Sequence, residues 1–448
     1  MAKARRLLWV TTVVALCAPV AALGARWRDG LRAEQSLHAG LGYLDVSVDR
    51  AASPEALDSR AAEAEFGRAV AFDASPEVTR RARALWHVAR AFGDLRQSNL
   101  VLASSEVQSA LREAPEEPRV ALAAAVLDLR RGESARAERR FLAVESASGA
   151  PTELVVRGAM GRVDVMLDAG RGHEALTVAE SMARRVPASA TVQNRLGLAR
   201  RAVGDVDGAR VAFLRAQTLD PQSPTALVNL AGLARARGEL AEARTLLTQA
   251  LRVAPEDGES LLALGVVLGD LGLDAEAKAA LEHATRAMPE ASAPWRMLGS
   301  HAQRMGRLSQ AVAHFRTALD RDAGDAAART NLGVALAQTG DRDGALRAFE
   351  EVTQRAPSTG EAWNGLGAMR LAMSDPEHAV GPLQQASVLL PDDPNPPMNL
   401  GLALERLQRW DDAARAFREC LRRRPGHEQA AAHLAALQPE NVAARRAR

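Results

Sequence analysis

His427-Glu428 followed by His433 is the nearest this chain comes to a reactive cluster. Two imidazoles and a carboxylate could ligate a metal, but the step from His427 to His433 misses the i, i+4 spacing that puts two histidines on one helix face. The expected role is a solvated helix face, with no metal site. His173-Glu174 falls where a helix begins, and a carboxylate there suits the helix dipole. Glu116-Glu117 and Asp392-Asp393 stand in turns, where starting a helix is the expected task rather than acid–base chemistry. Cys17 and Cys420 are too few for a disulfide framework or a structural zinc site, so Cys420 is expected to be a small buried residue. The glycines form no phosphate loop. Nothing resembles a catalytic constellation, and no enzyme activity, cofactor or small-molecule substrate is expected.

The elements that carry these residues are announced by a period. Ala175, Ala209, Ala243, Ala277, Ala311, Ala345, Ala379 and Ala413 stand 34 residues apart without an insertion or deletion. Pro187, Pro221, Pro255, Pro289, Pro357, Pro391 and Pro425 keep the same step, with Ala323 the one missing beat. A fixed period of this length marks a solenoid, whose units cannot bury their apolar faces alone. Within Ala190 to Ser223, Leu196, Gly197 and Arg200 precede a turn at Gly204-Asp205, and Ala209, Phe213 and Ala216 then recur at helical spacing. That predicts two amphipathic helices, the first closed by a left-handed glycine and the second stopped by the proline. Gly197 and Ala209 are expected to face each other where the backbones meet, with Phe213 and Leu196 filling the wedge to the next unit.

Composition narrows the partners. The 57 basic residues nearly cancel the 55 acidic ones, for a net charge of +2, which argues against a polyanion. Aromatics are 3% of the chain with Tyr43 the single tyrosine, so platforms for stacking bases are largely missing. No nucleic acid is expected.

Lys3, Arg5 and Arg6 precede an uncharged run from Leu7 to Ala25, followed by Arg26 and Arg28. This pattern predicts an export or anchoring signal in residues 1–25, either a cleaved peptide or a short membrane-spanning helix. Pro19, Ala21, Ala22 and Gly24 favour cleavage, and the length and Trp9 favour retention. Lipidation at Cys17 is disfavoured by the bulky Leu16. Either favoured reading puts the repeats outside the cytoplasm, periplasmic or anchored to the inner membrane.

Trp295, Leu298, Gly299, Ala302, Gly306, Ala311, Phe315 and Ala318 resemble the signature of the tetratricopeptide repeat. So do Trp363, Leu366, Gly367, Ala379, Leu383, Ala386 and Pro391, and Leu400, Gly401, Ala413, Phe417 and Pro425. The resemblance implies an all-α fold, a right-handed superhelical α-solenoid of antiparallel helix pairs. Eight units are read over 156–427, with a capping helix and basic tail, including Arg445, Arg446 and Arg448, in 428–448. Upstream, 84–155 reads as degenerate units, and 26–83 as a helical tether with one more degenerate repeat whose second helix would carry Ala62, Phe66 and Ala69. Some units depart from the signature, with Leu268, Leu336 or Leu404, or Arg200 or Arg370, for the tyrosine, and Ala231 for the glycine. The strict period and the prolines disfavour the related pentatricopeptide class, which would imply RNA reading.

In the family this resembles, first helices line a concave groove, and their second, fifth, ninth, twelfth and thirteenth positions reach bound peptide. Carried onto this chain, the fifth positions are Asn194, Val228, Leu262, Arg296, Thr330, Asn364 and Met398. The twelfth and thirteenth include Arg201, Arg235, Gln303, Arg304, Gln338 and Arg406. Leu198, Val266, Val334 and Leu402 make the ninth positions apolar, and Asn229, Asn331 and Asn399 at the sixth could bond a ligand backbone. The expectation is a scaffold or adaptor of the cell envelope that holds a peptide or helix of a partner protein, with residues 7–25 touching the membrane if uncleaved. Relatives with such termini serve in pilus assembly, secretion, and polysaccharide or lipopolysaccharide assembly. A regulatory subunit of an envelope enzyme and an RNA-binding helical-repeat protein remain open as alternatives.

Overall fold

A computed structural model describes residues 29, 31–39, 41, 59–72, 75–96 and 99–437. The segment 1–25, expected to export or anchor the chain, and the arginine tail lie outside the described residues. No helix among the described residues is long and apolar enough to cross a membrane.

Helices joined by short turns are the only regular structure among the described residues, and they pack in antiparallel pairs as an α-solenoid. Contacts divide the chain into two compact units, one ending at Arg237 and one beginning at Gly238. The first contains Ser59–Ala71, then the pairs Pro76–Arg96 with Leu100–Glu113, Pro118–Arg130 with Ser134–Glu145, Thr152–Asp168 with Gly172–Arg185, and Ala190–Ala202 with Val206–Leu219, and last Thr225–Ala236. The second opens on Leu240–Val253. Its pairs are Gly258–Asp270 with Asp274–Ala287, Ser292–Arg304 with Leu308–Arg321, Ala326–Thr339 with Arg342–Arg355, Gly360–Ala372 with Pro376–Leu389, and Asn395–Arg406 with Trp410–Arg423, and Glu428–Ala436 closes it.

Turn chemistry explains the register. Gly170, Gly204, Gly238, Gly272, Gly306 and Gly340 all have positive φ, a backbone region glycine enters without a steric penalty. Two units break the rule, because Ser374 (φ 62°) and Gln408 (φ 59°) hold the same turn position. A side chain in the left-handed region costs about 1–2 kcal/mol, partly offset by glycine's larger unfolding entropy. Ser374→Gly and Gln408→Gly are each expected to stabilise the second unit by about 0.5–1 kcal/mol, seen as a raised urea midpoint. An unchanged midpoint would show that these turns carry no strain.

Second helices end two residues before the proline, as Val206–Leu219 does, with Asp220 between them at φ −134°. The unit with Ala323 stops in the same way, Asp322 standing at φ −140°, so proline is not required. There the Asp322 carboxylate accepts from Gly324 N at 2.8 Å, and Arg329 Nη1 donates to Ala323 O at 2.8 Å. The same tie recurs where a proline is present, from Gln193 Nε2 to Pro187 O (3.2 Å) and from Trp363 Nε1 to Pro357 O (2.7 Å).

All eight period-setting alanines are fully buried, as is Cys420, whose thiol burial pushes above its ordinary value. The phenylalanine is the first neighbour of Gly197. A β-carbon there would collide with the Phe213 ring, and at the equivalent Gly265 it would meet Leu281 first and then Ala277 O at 3.3 Å, so the missing side chain makes room for the large residue as well as for the alanine's helix. The ring needs the larger gap, and the helix spacing follows from it.

Two acidic or histidine motifs also behave differently from their sequence reading. Glu117 begins a helix without a side-chain cap and instead accepts from Arg81 Nε (2.9 Å) and Arg119 Nη1 (3.0 Å). His433 is no freely solvated residue: its Nδ1 lies 2.6 Å from Glu405 Oε2, and its ring stacks on Phe417. His427 caps the last helix, Ala430 N donating to its Nδ1 at 3.2 Å. Asp393 performs the local task expected of it, its Oδ1 accepting from Asn395 N at 2.8 Å.

Candidate functional site

First helices of the unit beginning at Gly238 present one face in register. Val266, Ser300, Val334, Ala368 and Leu402 recur every 34 residues along it, and none is buried. Val334 is the most open large apolar residue of this row, at 37% exposure. This row, apolar at every place but Ser300, leaves hydrocarbon in water that a partner could cover.

Beside the row, polar side chains reach from one first helix to the next. Gln303 Nε2 donates to Gln338 Oε1 at 2.8 Å, and Asn399 Nδ2 donates to Asn364 Oδ1 at 3.0 Å. Asn331 Nδ2 approaches Ser300 Oγ at 3.5 Å. Each side-chain amide has more donor and acceptor capacity than one such bond uses, which is enough to engage a peptide backbone. The arginines are more committed. Arg406 Nη1 donates to Leu371 O (2.6 Å) and Arg304 Nη1 to Gly269 O (3.4 Å), each a carbonyl in the last turn of the preceding first helix. Cations there complement the helix dipole. Arg296 Nε is bonded to the Asp325 carboxylate at 3.2 Å, and Asp325 also caps the next first helix through Ala328 N. Arg296 therefore holds two repeats together.

In the unit ending at Arg237, Asn194 is buried and faces Asn229 Nδ2 across 3.5 Å. Arg201 and Arg235 are exposed. The Arg201 guanidinium lies over Gly232, 3.7 Å from where a β-carbon would stand. Asp164 stands 34 residues before Leu198, at the ninth position of the repeat, and meets Arg195 Nε at 2.6 Å. Burial raises its carboxyl above the ordinary range, against the lowering pull of Arg195.

The apolar row of the second unit ends in a pocket of ≈ 400 Å³ lined by Leu402, Glu405, Arg406, Trp410 and His433. Three of these are ninth, twelfth and thirteenth positions of the last first helix, while Trp410 starts its second helix and His433 comes from the closing helix. Arg406 and Leu402 were legible as surface residues from the repeat register. Trp410 was not, although an aromatic at that register departs from Leu240, Asp274, Leu308, Arg342 and Pro376 in the other units. His433 needed the closing helix to be folded back onto Phe417.

Models of the tetratricopeptide repeat match residues 161–224, 228–292, 302–369 and 398–429. The general transcriptional corepressor trfA of Dictyostelium discoideum is 28% identical over 130 residues, which is 29% of this chain and 9% of that protein. The chain thus matches less than a tenth of that relative's length. Among solved structures, the hetero-tetramer Cut9-Hcn1 of the APC/C aligns over 95% of this chain and 99% of its own, with TM-score 0.51 and 14% identity, a likeness of fold alone. YrrB, described as a TPR protein with an unusual peptide-binding site, is 26% identical over 44% of this chain and 98% of its own, with TM-score 0.33. A repeat protein from Parabacteroides merdae is 17% identical over 55% of this chain and 98% of its own, with TM-score 0.43.

Proposed function

Because the chain is a tetratricopeptide repeat protein, we propose that it is a non-enzymatic scaffold that holds a segment of a partner protein on its first-helix face. The observation that carries this reading is the apolar row Val266, Val334, Ala368 and Leu402, which runs beside amide pairs and ends in the pocket at Trp410. Such a face offers apolar contact for side chains and spare amide valences for a peptide backbone. Its charges are largely engaged with neighbouring repeats, so affinity would come from burial more than from long-range attraction.

Export or anchoring through residues 7–25 would place this scaffold in the cell envelope, and the support is the basic Lys3, Arg5 and Arg6 ahead of an uncharged run. Pilus, secretion, or polysaccharide and lipopolysaccharide assembly are the processes such a location suggests. Cell fractionation with amino-terminal sequencing tests the location. Recovery of the unprocessed chain in the cytosol would overturn it.

For the surface, Val334→Glu combined with Trp410→Ala is the informative change, because both side chains line the face and neither spans to another repeat by hydrogen bonding. The double variant is expected to lose its co-purifying partner by at least about tenfold, with helical circular dichroism unchanged. Undiminished recovery of the partner would refute the assignment.

A further inference from the structure

A second surface is built from a second helix and a turn, and shares no lining residue with the first-helix row. The exposed side of Leu240–Val253 and the turn at Leu271 to Leu273 enclose an open cleft of ≈ 600 Å³. Buried Ala243, Leu247 and Ala250 point the other way, into the repeat. Thr245 and Thr248 turn their hydroxyls onto their own helix, donating to Ala241 O (2.9 Å) and Arg244 O (2.8 Å). Their methyl groups are what remains to face the cleft, so Ala241, Leu271, Leu273 and these methyls give it an apolar stretch, with Gln249 as the one uncharged amide in the lining.

Leu273 is the anomaly that gives the cleft meaning. Its register holds a charged residue in every other repeat of this unit: Glu239, Arg307, Asp341, Asp375 and Arg409. At Asp341 and Asp375 the carboxylate caps the following helix, accepting from Gly344 N and His378 N. Leu273 supplies no side-chain cap to Asp274–Ala287. Glu239, Arg307 and Arg409 give no side-chain cap either, so what sets Leu273 apart is a lost charge: a leucine at a charged register lines a cleft, and it is stabilising there only when something covers it.

Charge marks what would cover it. Arg244 and Arg252 stand at the two ends of the apolar stretch, two helical turns or about 12 Å apart. Arg244 is shared with Glu276 at 3.5 Å, whereas Arg252 is exposed and makes no hydrogen bond or ion pair among the described residues. We propose that this cleft docks an acidic amphipathic α-helix of a partner protein. Leucine-like side chains of that helix would lie on Leu271, Leu273 and the threonine methyls, and carboxylates two turns apart would meet the two arginines.

The test uses the full chain and a synthetic helical peptide of roughly 14 residues, carrying leucines one turn apart flanked by glutamates two turns apart, with a lysine-for-glutamate twin as control. Fluorescence anisotropy is expected to show binding of the glutamate peptide alone. Leu273→Asp should weaken it by at least about tenfold while raising the thermal midpoint, because the aspartate can cap the following helix as Asp341 and Asp375 do. Arg252→Glu should weaken it comparably, and Val334→Glu should leave it unchanged. The proposal is overturned if neither peptide binds, if the lysine twin binds equally, if Leu273→Asp binds as tightly as the natural chain, or if Val334→Glu abolishes binding.

Discussion

Gly299→Leu is expected to destabilise the second unit by about 3 kcal/mol, at the upper end of what overpacking costs. A β-carbon at Gly299 would stand 2.7 Å from two carbons of the Phe315 ring, and that ring is fully buried. Ala302, Ala311 and Ala335 pack around it, so it cannot rotate away without disturbing the helix pair. Urea denaturation of the variant should show a lower midpoint with helical signal retained below the transition. A double-mutant cycle makes the cause checkable. Phe315→Ala alone should cost about 3–5 kcal/mol, and in that background Gly299→Leu should cost much less than it does alone. Additive effects would mean that the two residues do not share the contact.

Arg423→Ala carries the other large effect, about 3 kcal/mol, because one nearly buried guanidinium serves several acceptors at once. It donates to Leu390 O (2.8 Å), Asp393 O (2.9 Å), Ser387 O (3.1 Å) and Ser387 Oγ (2.9 Å), all around the end of the preceding second helix. Nε donates to Glu419 Oε1 at 2.8 Å. Lysine has three donors on a single nitrogen and cannot reproduce this fan, so Arg423→Lys should recover only part of the loss. Acid should act on the same contact. Hydrogen bonds from Arg422 first and Arg423 second hold Glu419 down to about 2, from an ordinary value of 4.5. A depressed carboxylate contributes stability that is complete above the ordinary value and lost as pH falls towards the folded one. Stability of the natural chain should therefore decline between pH 4.5 and about 2, and Arg423→Ala should flatten part of that decline while Arg422 sustains the rest.

Much of this was legible in the spacing of residues. Alanine, leucine-glycine and proline periods defined helix pairs because their positions are dictated by close packing and by backbone conformation, both local to one repeat. The contacts between repeats were harder to read. That Asn399 would donate to Asn364, or Gln303 to Gln338, depends on which rotamer reaches the next helix, and composition at those positions does not encode it. Arg296 was read as a ligand contact, and its bond to Asp325 of the next repeat was likewise not encoded at its own position. Leu273 and Trp410 escaped the sequence reading although both depart from their register, because only the cleft and pocket around them distinguish such departures from drift.

The central claim is that the first-helix face holds the partner, and site-specific photocrosslinking in cells addresses it most directly. A photoreactive residue would replace Val334 or Leu402 on that face, or the exposed Gln354 on a second helix as the reference. A discrete crosslinked partner is expected from 334 and 402 and none of that species from 354. Capture of the same partner from 354 alone, or from none of the three sites, would contradict it.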